Sequence, residues 1–281
     1  MFAVYWCLMY LAIDIGGTKT LLAVFDAGGQ LIDTFKLPTN PSYEAFKAEL
    51  AAAFKQRLGK HPFKYACVAV PGRIDRHKGI ALGFGNLGWQ KPAIRADISS
   101  IVGVPVIIEN DANLAGLSEA RLVIDTYKRV LYLTISTGIG DGIIINGVID
   151  PDFADSEAGH MVLEHDGQMT AWEDFASGRA IVRRFGKKAA EITDPATWRV
   201  IARDIAHGLI DVIATMQPEV VIIGGGVGAH FDKFGALLIN ELKRYENTLI
   251  SIPPVIGAKR PEEAVIYGCY ELIRQQLAKP A

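Results

Sequence analysis

Three glycine-rich stretches of the sequence carry the residue types that bind phosphate groups. The first is AIDIGGTKT, residues 12–20, in which a carboxylate precedes a pair of glycines, and a hydroxyl and an ammonium group follow. Glycines allow a tight turn whose N–H groups approach an anion, and a carboxylate beside a phosphate is well placed only if it holds Mg²⁺ or orients its waters. The stretch predicts a phosphate site with Mg²⁺ near Asp14; a plain strand and turn is the alternative. The predicted ligands of the nucleotide here are Asp14, Gly16, Gly17, Thr18 and Lys19.

The other two stretches also follow apolar, strand-like runs. ISTGIGDG, residues 135–142, offers two hydroxyls, and IIGGGVGA, residues 222–229, contains a G-x-G-x-x-A match that raises a dinucleotide-binding alternative. Too little chain follows the match to build a dinucleotide domain, so a glycine turn that leaves room for an adenine ring is preferred, with a simple strand-to-helix turn as the alternative. The predicted nucleotide ligands in these stretches are Ser136, Thr137, Gly138, Gly140, Gly224, Gly225 and Gly226.

The segment IIENDANLAG, residues 107–116, places three polar side chains, Glu109, Asn110 and Asp111, where a strand gives way to a helix. Asn110 or Asp111 would suit a helix N-cap. The functional interpretation is that Asp111 is a general base that accepts a proton from a substrate hydroxyl, while Asn110 hydrogen-bonds the substrate. Both interpretations can hold for one pair of residues.

A further set of carboxylates and an imidazole lies in SEAGH, residues 156–160, and AWEDFASG, which contains Glu173. Glu157, His160, His165 and Asp166 could be read as metal ligands, but such spacings are common on surfaces. Carboxylates and imidazole also form the paired hydrogen bonds that a polyhydroxyl ligand presents. A polyhydroxyl ligand is therefore the preferred interpretation.

The elements that must position these residues follow a repeated order. Three strand-like runs at 11–15, 21–25 and 31–37 precede an amphipathic helix at 43–58, and further strands are predicted at 65–70 and 104–108 with a helix at 111–124. A second series of strands begins at 130–135, continues at 142–145 and 148–149, and leads to a helix that Pro218 ends and a strand before the third glycine stretch.

The repeated order predicts an α/β fold of two related domains with a cleft between them. The first domain is expected at residues 1–120 and the larger second domain at 121–261. A last helix at about 262–281 is expected to pack back on the first domain.

Composition excludes several classes of protein. The chain has 281 residues, half of them hydrophobic, and a net charge of −2, which offers no electrostatic footprint for nucleic acid or for a membrane surface. Its three cysteines form no C-x-x-C pair, and the apolar first residues lack the features of a signal peptide. We expect a cytoplasmic protein without nucleic-acid or membrane partners, and Met9 is a candidate for the true start.

Taken in order along the chain, the motifs resemble those of the ROK family of sugar kinases and repressors. They are D-I-G-G-T-K at 14–19, P-G-R at 71–73, E-N-D-A-N at 109–113, S-T-G-I-G-D-G at 136–142, E-A-G-H at 157–160 and I-G-G-G at 223–226. The resemblance implies the actin-like ATPase fold, with two ribonuclease-H-like domains that bind ATP, Mg²⁺ and a sugar. It also suggests a homodimer.

The resemblance implies roles for individual residues. Asp111 would be the catalytic base. The implied sugar ligands are Asn110, Asp111, Glu157, His160 and Glu173, with Gly72, Arg73 and Asn86 of GNLGW.

The chain departs from the family pattern in two ways. No winged-helix segment stands ahead of AIDIGGTK, which disfavours the repressor branch. The cysteine-rich zinc motif that many members carry between the histidine and the following glutamate is replaced here by the cysteine-free MVLEHDGQMTAW, so no structural zinc is expected. His160 must then be oriented in another way, for example by Glu164 or a backbone carbonyl.

The predicted function is transfer of the γ-phosphate of ATP to a hexose hydroxyl, with the 6-hydroxyl of glucose as the favoured acceptor. This would place the protein in carbohydrate metabolism. The alternatives are an N-acetylhexosamine or fructose kinase of the same fold, a polyphosphate-dependent glucokinase, and a non-catalytic sugar-binding sensor. Glycine-loop N–H groups, Lys19 and Mg²⁺ near Asp14 would stabilise the transferring phosphoryl group.

Overall fold

A computed structural model describes residues 8–83, 87–261 and 263–278 of the chain. The described residues form two compact units, the first running to Ala115 and resuming at Val265, the second spanning Gly116–Ala264. The predicted boundary after residue 120 lies near the end of helix α3, Asp111–Arg121, whereas the units divide inside that helix. In the part of the chain that is described, no helix is long and apolar enough to cross a membrane.

The first unit is built on a five-stranded sheet in the order β3-β2-β1-β4-β7. The strands β1, β2 and β3 pair antiparallel, whereas β4 and β7 run parallel to β1. The elements up to the division are β1 Met9–Ile15, β2 Lys19–Phe25, β3 Leu31–Pro38, α1 Tyr43–Arg57, β4 Phe63–Val70, β5 Ile74–Asp75, β6 Ile80–Ala81, α2 Ile94–Val102, β7 Val106–Asn110 and α3 Asp111–Arg121.

Both faces of this sheet are covered, because successive side chains of a strand point to opposite faces. Leu11, Ile13 and Ile15 of β1 pack into a core with helices α1 and α2. Tyr10 and Ala12 face a second core formed with the last helix, α9, which spans Ala264–Ala278. The carboxyl ends of β1, β4 and β7 therefore emerge together at one edge of a sheet that is buried on both sides.

The second unit repeats the same strand order, β10-β9-β8-β13-β14. The strands β8, β9 and β10 pair antiparallel, and β13 and β14 run parallel to β8. Its elements after α3 are β8 Arg129–Ile135, β9 Ile139–Ile145, β10 Val148–Ile149, β11 Val162–His165, β12 Gln168–Ala171, α4 Trp172–Ala176, α5 Gly178–Phe185, α6 Pro195–Met216, β13 Val220–Gly224, α7 Gly225–Gly228, α8 Phe231–Lys243 and β14 Val255–Gly257.

Helix α6 supplies much of the core of this unit. Asp194 caps its first turn by accepting hydrogen bonds from two backbone N–H groups, and Pro195 occupies the first helical position. The buried ring of Trp172 lies against Gly208 of α6, where a side chain would overlap the indole. The indole N–H donates to the Asp204 carbonyl at 3.1 Å, which fixes α4 on α6.

Most predicted elements are present, with four informative differences. The helix predicted to reach residue 124 ends at Arg121, and the strand predicted from residue 142 begins at Ile139, because the preceding turn needs only Ser136–Gly138. Helices α2, α5 and α8 and the hairpin β11–β12 were not predicted. The strand β9 carries Gly140 opposite Thr134, so Gly140 belongs to the sheet rather than to the turn.

Candidate functional site

Two carboxylates of the first unit lie close enough to interact electrostatically. Asp14 is the penultimate residue of β1, and Asp111 is the first residue of α3, directly after β7. Burial and the Asp111 charge raise the pKa of Asp14 from 3.8 to about 7. Burial raises the pKa of Asp111 from 3.8 to about 6, against the opposing hydrogen bond from the Ala112 N–H group. A carboxyl group with a pKa near 6 can accept a proton at neutral pH.

Asn110 caps helix α3 and so orients the residue that follows it. Its Oδ1 accepts hydrogen bonds from the N–H groups of Ala112 at 2.8 Å and Asn113 at 3.1 Å. Its Nδ2 donates to the Gly72 carbonyl at 3.1 Å, which ties the end of β7 to the loop after β4. The structure thus brings together Asn110, Asp111 and Gly72, three of the predicted site residues.

The strand end is fixed by an ion pair that the sequence did not reveal. Arg76 donates through Nε to Glu109 Oε2 at 2.8 Å, and Glu109 also accepts from the Asn110 N–H at 2.8 Å and from Asn113 Nδ2 at 3.1 Å. Glu109 is buried and is committed to these contacts. Its role is to hold the strand-to-helix junction, and its partner Arg76 lies too far along the chain for spacing alone to suggest the pair.

The first glycine stretch closes the β1–β2 hairpin. The Gly16 N–H donates to the Lys19 carbonyl at 3.0 Å, and there is no room for a side chain on Gly16 beside that carbonyl. Gly17, Thr18 and Lys19 are exposed at the tip. The stretch forms a strand and a turn, and the turn presents its hydroxyl and ammonium groups to solvent. Its role as a phosphate site stays a prediction.

Arg73 is exposed next to Gly72, whose φ of +75° favours glycine. The predicted ligand Asn86 lies outside the described residues. The loop after β4 therefore presents Gly72 and Arg73 within the described structure.

In the second unit, the turn between β8 and β9 is held by a short network. The Ser136 N–H donates to the Gly138 carbonyl at 2.9 Å, and the Ser136 carbonyl accepts from the Gly178 N–H at 2.7 Å. Glu173 Oε2 accepts from the Ile139 N–H at 3.2 Å, and its Oε1 pairs with Arg179 at 3.1 Å. Glu173, predicted to bind sugar, therefore also supports the predicted phosphate turn.

The third glycine stretch divides into packing glycines and an open one. A side chain on Gly224 would overlap the Tyr132 hydroxyl, and one on Gly225 would lie 2.6 Å from Thr134 Oγ1. A side chain on Gly226 would meet nothing within 4 Å. Gly226 is therefore the one of these three glycines that faces open space.

Gly226 and the β8–β9 turn line one cavity of about 430 Å³. Three residues predicted to bind the nucleotide line this cavity: Ser136, Thr137 and Gly226. Helix α5 and the segment after it add two cations, Arg179 and Lys188. Val182, Ala189 and Val227 contribute apolar surface. A cavity with an apolar wall, hydroxyls and cations suits a nucleotide, whose aromatic base packs its faces on apolar surface and whose phosphates are anionic.

Glu157 directly precedes a single turn of 3-10 helix, Ala158–His160, and His160 is its last residue. The turn contacts β9. The backbone of Gly159 packs against the Ile139 carbonyl, with no space for a side chain. Glu164, considered as a partner of His160, instead accepts from the Gly167 N–H and closes the β11–β12 turn.

His165 stacks on Phe175 with ring centroids 4.1 Å apart, and its Nε2 lies 3.6 Å from Asp204 Oδ1. Within the described ranges, no three His, Cys, Asp or Glu side chains are grouped to hold a metal ion.

The two sheets have the same strand order, and glycine turns follow the carboxyl ends of their central strands. This arrangement defines the actin-like ATPase fold, so the fold prediction is confirmed. Residues 10–276 match the ROK family, and the chain belongs to it.

Several known proteins are similar to this chain. A glucokinase from Streptomyces coelicolor is 26% identical over 312 residues, covering 94% of this chain and 97% of that protein. An N-acetyl-D-glucosamine kinase from Escherichia coli O9:H4 is 29% identical over 298 residues, covering 92% and 97%. The crystal structure of a ROK family glucokinase from Streptomyces griseus, in complex with glucose and AMPPNP, superposes with a TM-score of 0.82 at 26% identity, covering 95% of this chain and 99% of that chain.

Proposed function

We propose that this chain is an ATP-dependent sugar kinase that transfers the γ-phosphate to a hexose, with the 6-hydroxyl of glucose as the favoured acceptor. The observation that carries the proposal is the Asp111 carboxylate, set at the start of α3 with a pKa near 6 and oriented by the Asn110 cap. Membership of the ROK family and similarity to two glucokinases support the reaction and the nucleotide.

Asp111 is assigned as the general base. Phosphoryl transfer demands positioning and charge stabilisation more than covalent chemistry, so the base aligns the attacking hydroxyl and removes its proton as the bond to phosphorus forms. The N–H groups at the start of α3 favour the charged carboxylate, which offsets part of the effect of burial. A base with a pKa near 6 is charged in most molecules at neutral pH.

The donor set around Asp14 fits Mg²⁺. Asp14 and Asp111 supply hard carboxylate oxygens, and in the part of the chain that is described no basic side chain forms an ion pair with either of them. Asp14 would hold the cation directly or through water, and the cation would neutralise the phosphate charge during transfer. A divalent cation would also reduce the repulsion from Asp111, which together with the larger effect of burial raises the pKa of Asp14.

The nucleotide is assigned to the glycine turns and the cavity of the second unit. The hydroxyls of Ser136 and Thr137 in the cavity lining would donate to phosphate oxygens, and Gly226 leaves room for the base. Gly138, in the same turn, is assigned to phosphate through its backbone. Gly16, Gly17, Thr18 and Lys19 of the first unit are assigned to phosphate as well. We add Arg179 and Lys188 to the predicted set because they line the same cavity.

The sugar is assigned to the residues with side-chain oxygens, amides and imidazole. Asn110, Glu157, His160 and Glu173 would form hydrogen bonds with ring hydroxyls, and Gly72 and Arg73 lie in the loop that Asn110 contacts. Relatives act on different sugars, since one is a glucokinase and another an N-acetyl-D-glucosamine kinase. The acceptor is therefore the part of the proposal that most needs measurement.

A coupled assay of sugar-phosphate formation tests the proposal, because this product forms from either phosphoryl donor. Glucose, N-acetylglucosamine, N-acetylmannosamine and fructose are each offered with ATP or with polyphosphate at fixed Mg²⁺. We expect ATP with glucose to give the highest kcat/KM. Preference for another acceptor or for polyphosphate would correct the substrate, whereas sugar binding by calorimetry without turnover under any condition would identify a sensor.

The homodimer stays a prediction from the family resemblance. Light scattering coupled to gel filtration would measure the mass in solution, and a mass equal to one chain of 30.5 kDa would contradict it.

A further inference from the structure

The turn that carries Glu157 and His160 is anchored on strand β9 by a buried carboxylate. Asp141 Oδ1 accepts a hydrogen bond of 2.8 Å from the Ala158 N–H, the first N–H group of the turn. The Gly159 backbone, one residue on, lies directly against Ile139 of the same strand. The turn is therefore fixed to β9 at two adjacent points, one of them a side chain that can be changed without touching a predicted ligand.

Asp141 is a charged residue type in the buried interior of a strand, where apolar residues are usual. It is 4% exposed in the interior of β9, opposite Leu133 and between two glycines. Its second oxygen, Oδ2, is buried and has no hydrogen-bond partner among the residues that the structure describes. A buried carboxylate with a bare oxygen costs stability that an apolar side chain would not cost. Asp141 therefore contributes something other than core packing.

The neighbours of Asp141 show what it contributes. Burial raises the pKa of this carboxyl, while the Ser156 hydroxyl and the Ala158 N–H lower it, so both groups favour the charged form. Ser156 and Ala158 stand on either side of Glu157 in the sequence. One buried side chain thus holds the backbone N–H directly after a predicted sugar ligand and restricts the backbone there.

We propose that Asp141 is a positioning residue for the sugar: it holds the Ser156–His160 segment on β9 so that Glu157 and His160 meet the ring hydroxyls in one fixed arrangement. The inference rests on the proposed function. Asp141 touches no substrate, so its loss should weaken sugar binding while leaving the use of ATP and the chemical step in place.

The test compares Asp141→Ala with Asp141→Asn. Alanine removes the acceptor for the Ala158 N–H. We expect the loss of this hydrogen bond to raise the KM for the sugar about tenfold and to leave the KM for ATP and kcat within about twofold of wild type. Asparagine keeps an oxygen in the same place and restores the KM to within about threefold of wild type.

A control separates positioning from general destabilisation. Asp194→Ala removes the cap of α6, two backbone hydrogen bonds in the same unit, and should lower the melting temperature without touching the turn. Its sugar KM should equal that of wild type even if its melting temperature falls as far as that of Asp141→Ala. An equal rise of KM in both variants would overturn the inference.

Amide exchange provides a readout that does not depend on activity. We expect exchange at Ala158 to be faster in Asp141→Ala than in wild type and to return in Asp141→Asn. If the wild type turns over sugar and Asp141→Ala keeps the wild-type KM, the inference is wrong and the proposed function stands. If the wild type turns over no sugar, the proposed function fails together with the role of Asp141 in sugar binding. Unchanged exchange at Ala158 in Asp141→Ala would refute the anchoring of the turn by Asp141.

Discussion

The two units share one strand order but place different chemistry at matching points. The penultimate residue of the first central strand is Asp14 in β1 and Thr134 in β8. Asp14 belongs to a carboxylate pair, whereas Thr134 Oγ1 occupies the space beside Gly225. Topology thus determines where loops emerge, and the residues at the strand ends decide whether a unit offers acidic oxygens or glycine turns with hydroxyls and cations.

The difference indicates a division of labour. In the first unit, burial raises the pKa of two carboxyl groups, an arrangement that costs stability and suits a base and a cation site. In the second unit, glycines allow close backbone packing around a cavity with Arg179 and Lys188 in its lining. Changes at matching points should therefore have unlike effects, on turnover in the first unit and on nucleotide affinity or folding in the second.

The largest effect is expected at Asp111. Asp111→Ala removes the base and should lower kcat by about two to four powers of ten. The melting temperature should stay the same or rise near neutral pH, because a half-buried charge is removed. Steady-state kinetics with thermal unfolding of the same preparation measures both quantities. Near wild-type turnover by the folded variant would show that another group is the base.

The next effect is expected at Asp14. Asp14→Asn should lower kcat/KM about tenfold to a hundredfold, as losses around a metal commonly do, and should raise the Mg²⁺ concentration for half-maximal activity. Thr134→Val in the second unit is the matched change and should leave the Mg²⁺ dependence as in wild type. An Mg²⁺ dependence that is unchanged in Asp14→Asn would remove Asp14 from the cation site.

The free energy of unfolding should fall as the pH rises through the pKa values of the same two carboxyl groups. Their native pKa values, about 7 and about 6, exceed the ordinary 3.8, so the native state binds more protons than the unfolded chain between about pH 4 and pH 7. Their contribution is fully present below about pH 4 and is lost by about pH 7. Asp14→Asn should flatten this decline, which unfolding by urea at a series of pH values would measure. A slope equal to that of wild type would contradict the assignment.

The smallest effects separate the glycines of the second unit. Gly224→Ala should cost about 1–3 kcal/mol, because its side chain would overlap Tyr132. Gly226→Ala meets open space and should leave stability within about 1 kcal/mol while raising the KM for ATP. Denaturant unfolding and the KM for ATP distinguish the two. A loss of stability in Gly226→Ala as large as that in Gly224→Ala would contradict the division.

Much of the fold could be predicted because its signals are local. Glycines after apolar runs marked the ends of β1 and β8, and the four-residue spacing of Phe46, Leu50 and Phe54 marked α1. The short helices α4 and α5 and the hairpin β11–β12 lack a long periodic pattern, since their apolar residues serve a core that distant segments complete. Local pattern cannot report such packing.

The candidate site could be predicted only where function and local sequence coincide. Asn110 and Asp111 stand together at a strand end, so their proximity was evident. The fold brings Arg76 to Glu109 in the first unit, and Arg179 and Lys188 to the cavity of the second unit. No spacing in the sequence relates these cations to their partners. Asp141 lies inside a motif that was attributed to phosphate, and only its buried contact with Ala158 reveals a different role.

The central claim is that Asp111 activates a sugar hydroxyl toward ATP, and the pH dependence of a coupled glucose assay tests it most directly. The account predicts that wild-type kcat/KM falls about tenfold per pH unit below a pKa near 6, with ADP and sugar phosphate formed one to one, and that Asp111→Asn keeps only a residual rate without this limb. A folded Asp111→Asn enzyme with the wild-type rate and the wild-type pH profile would contradict the account.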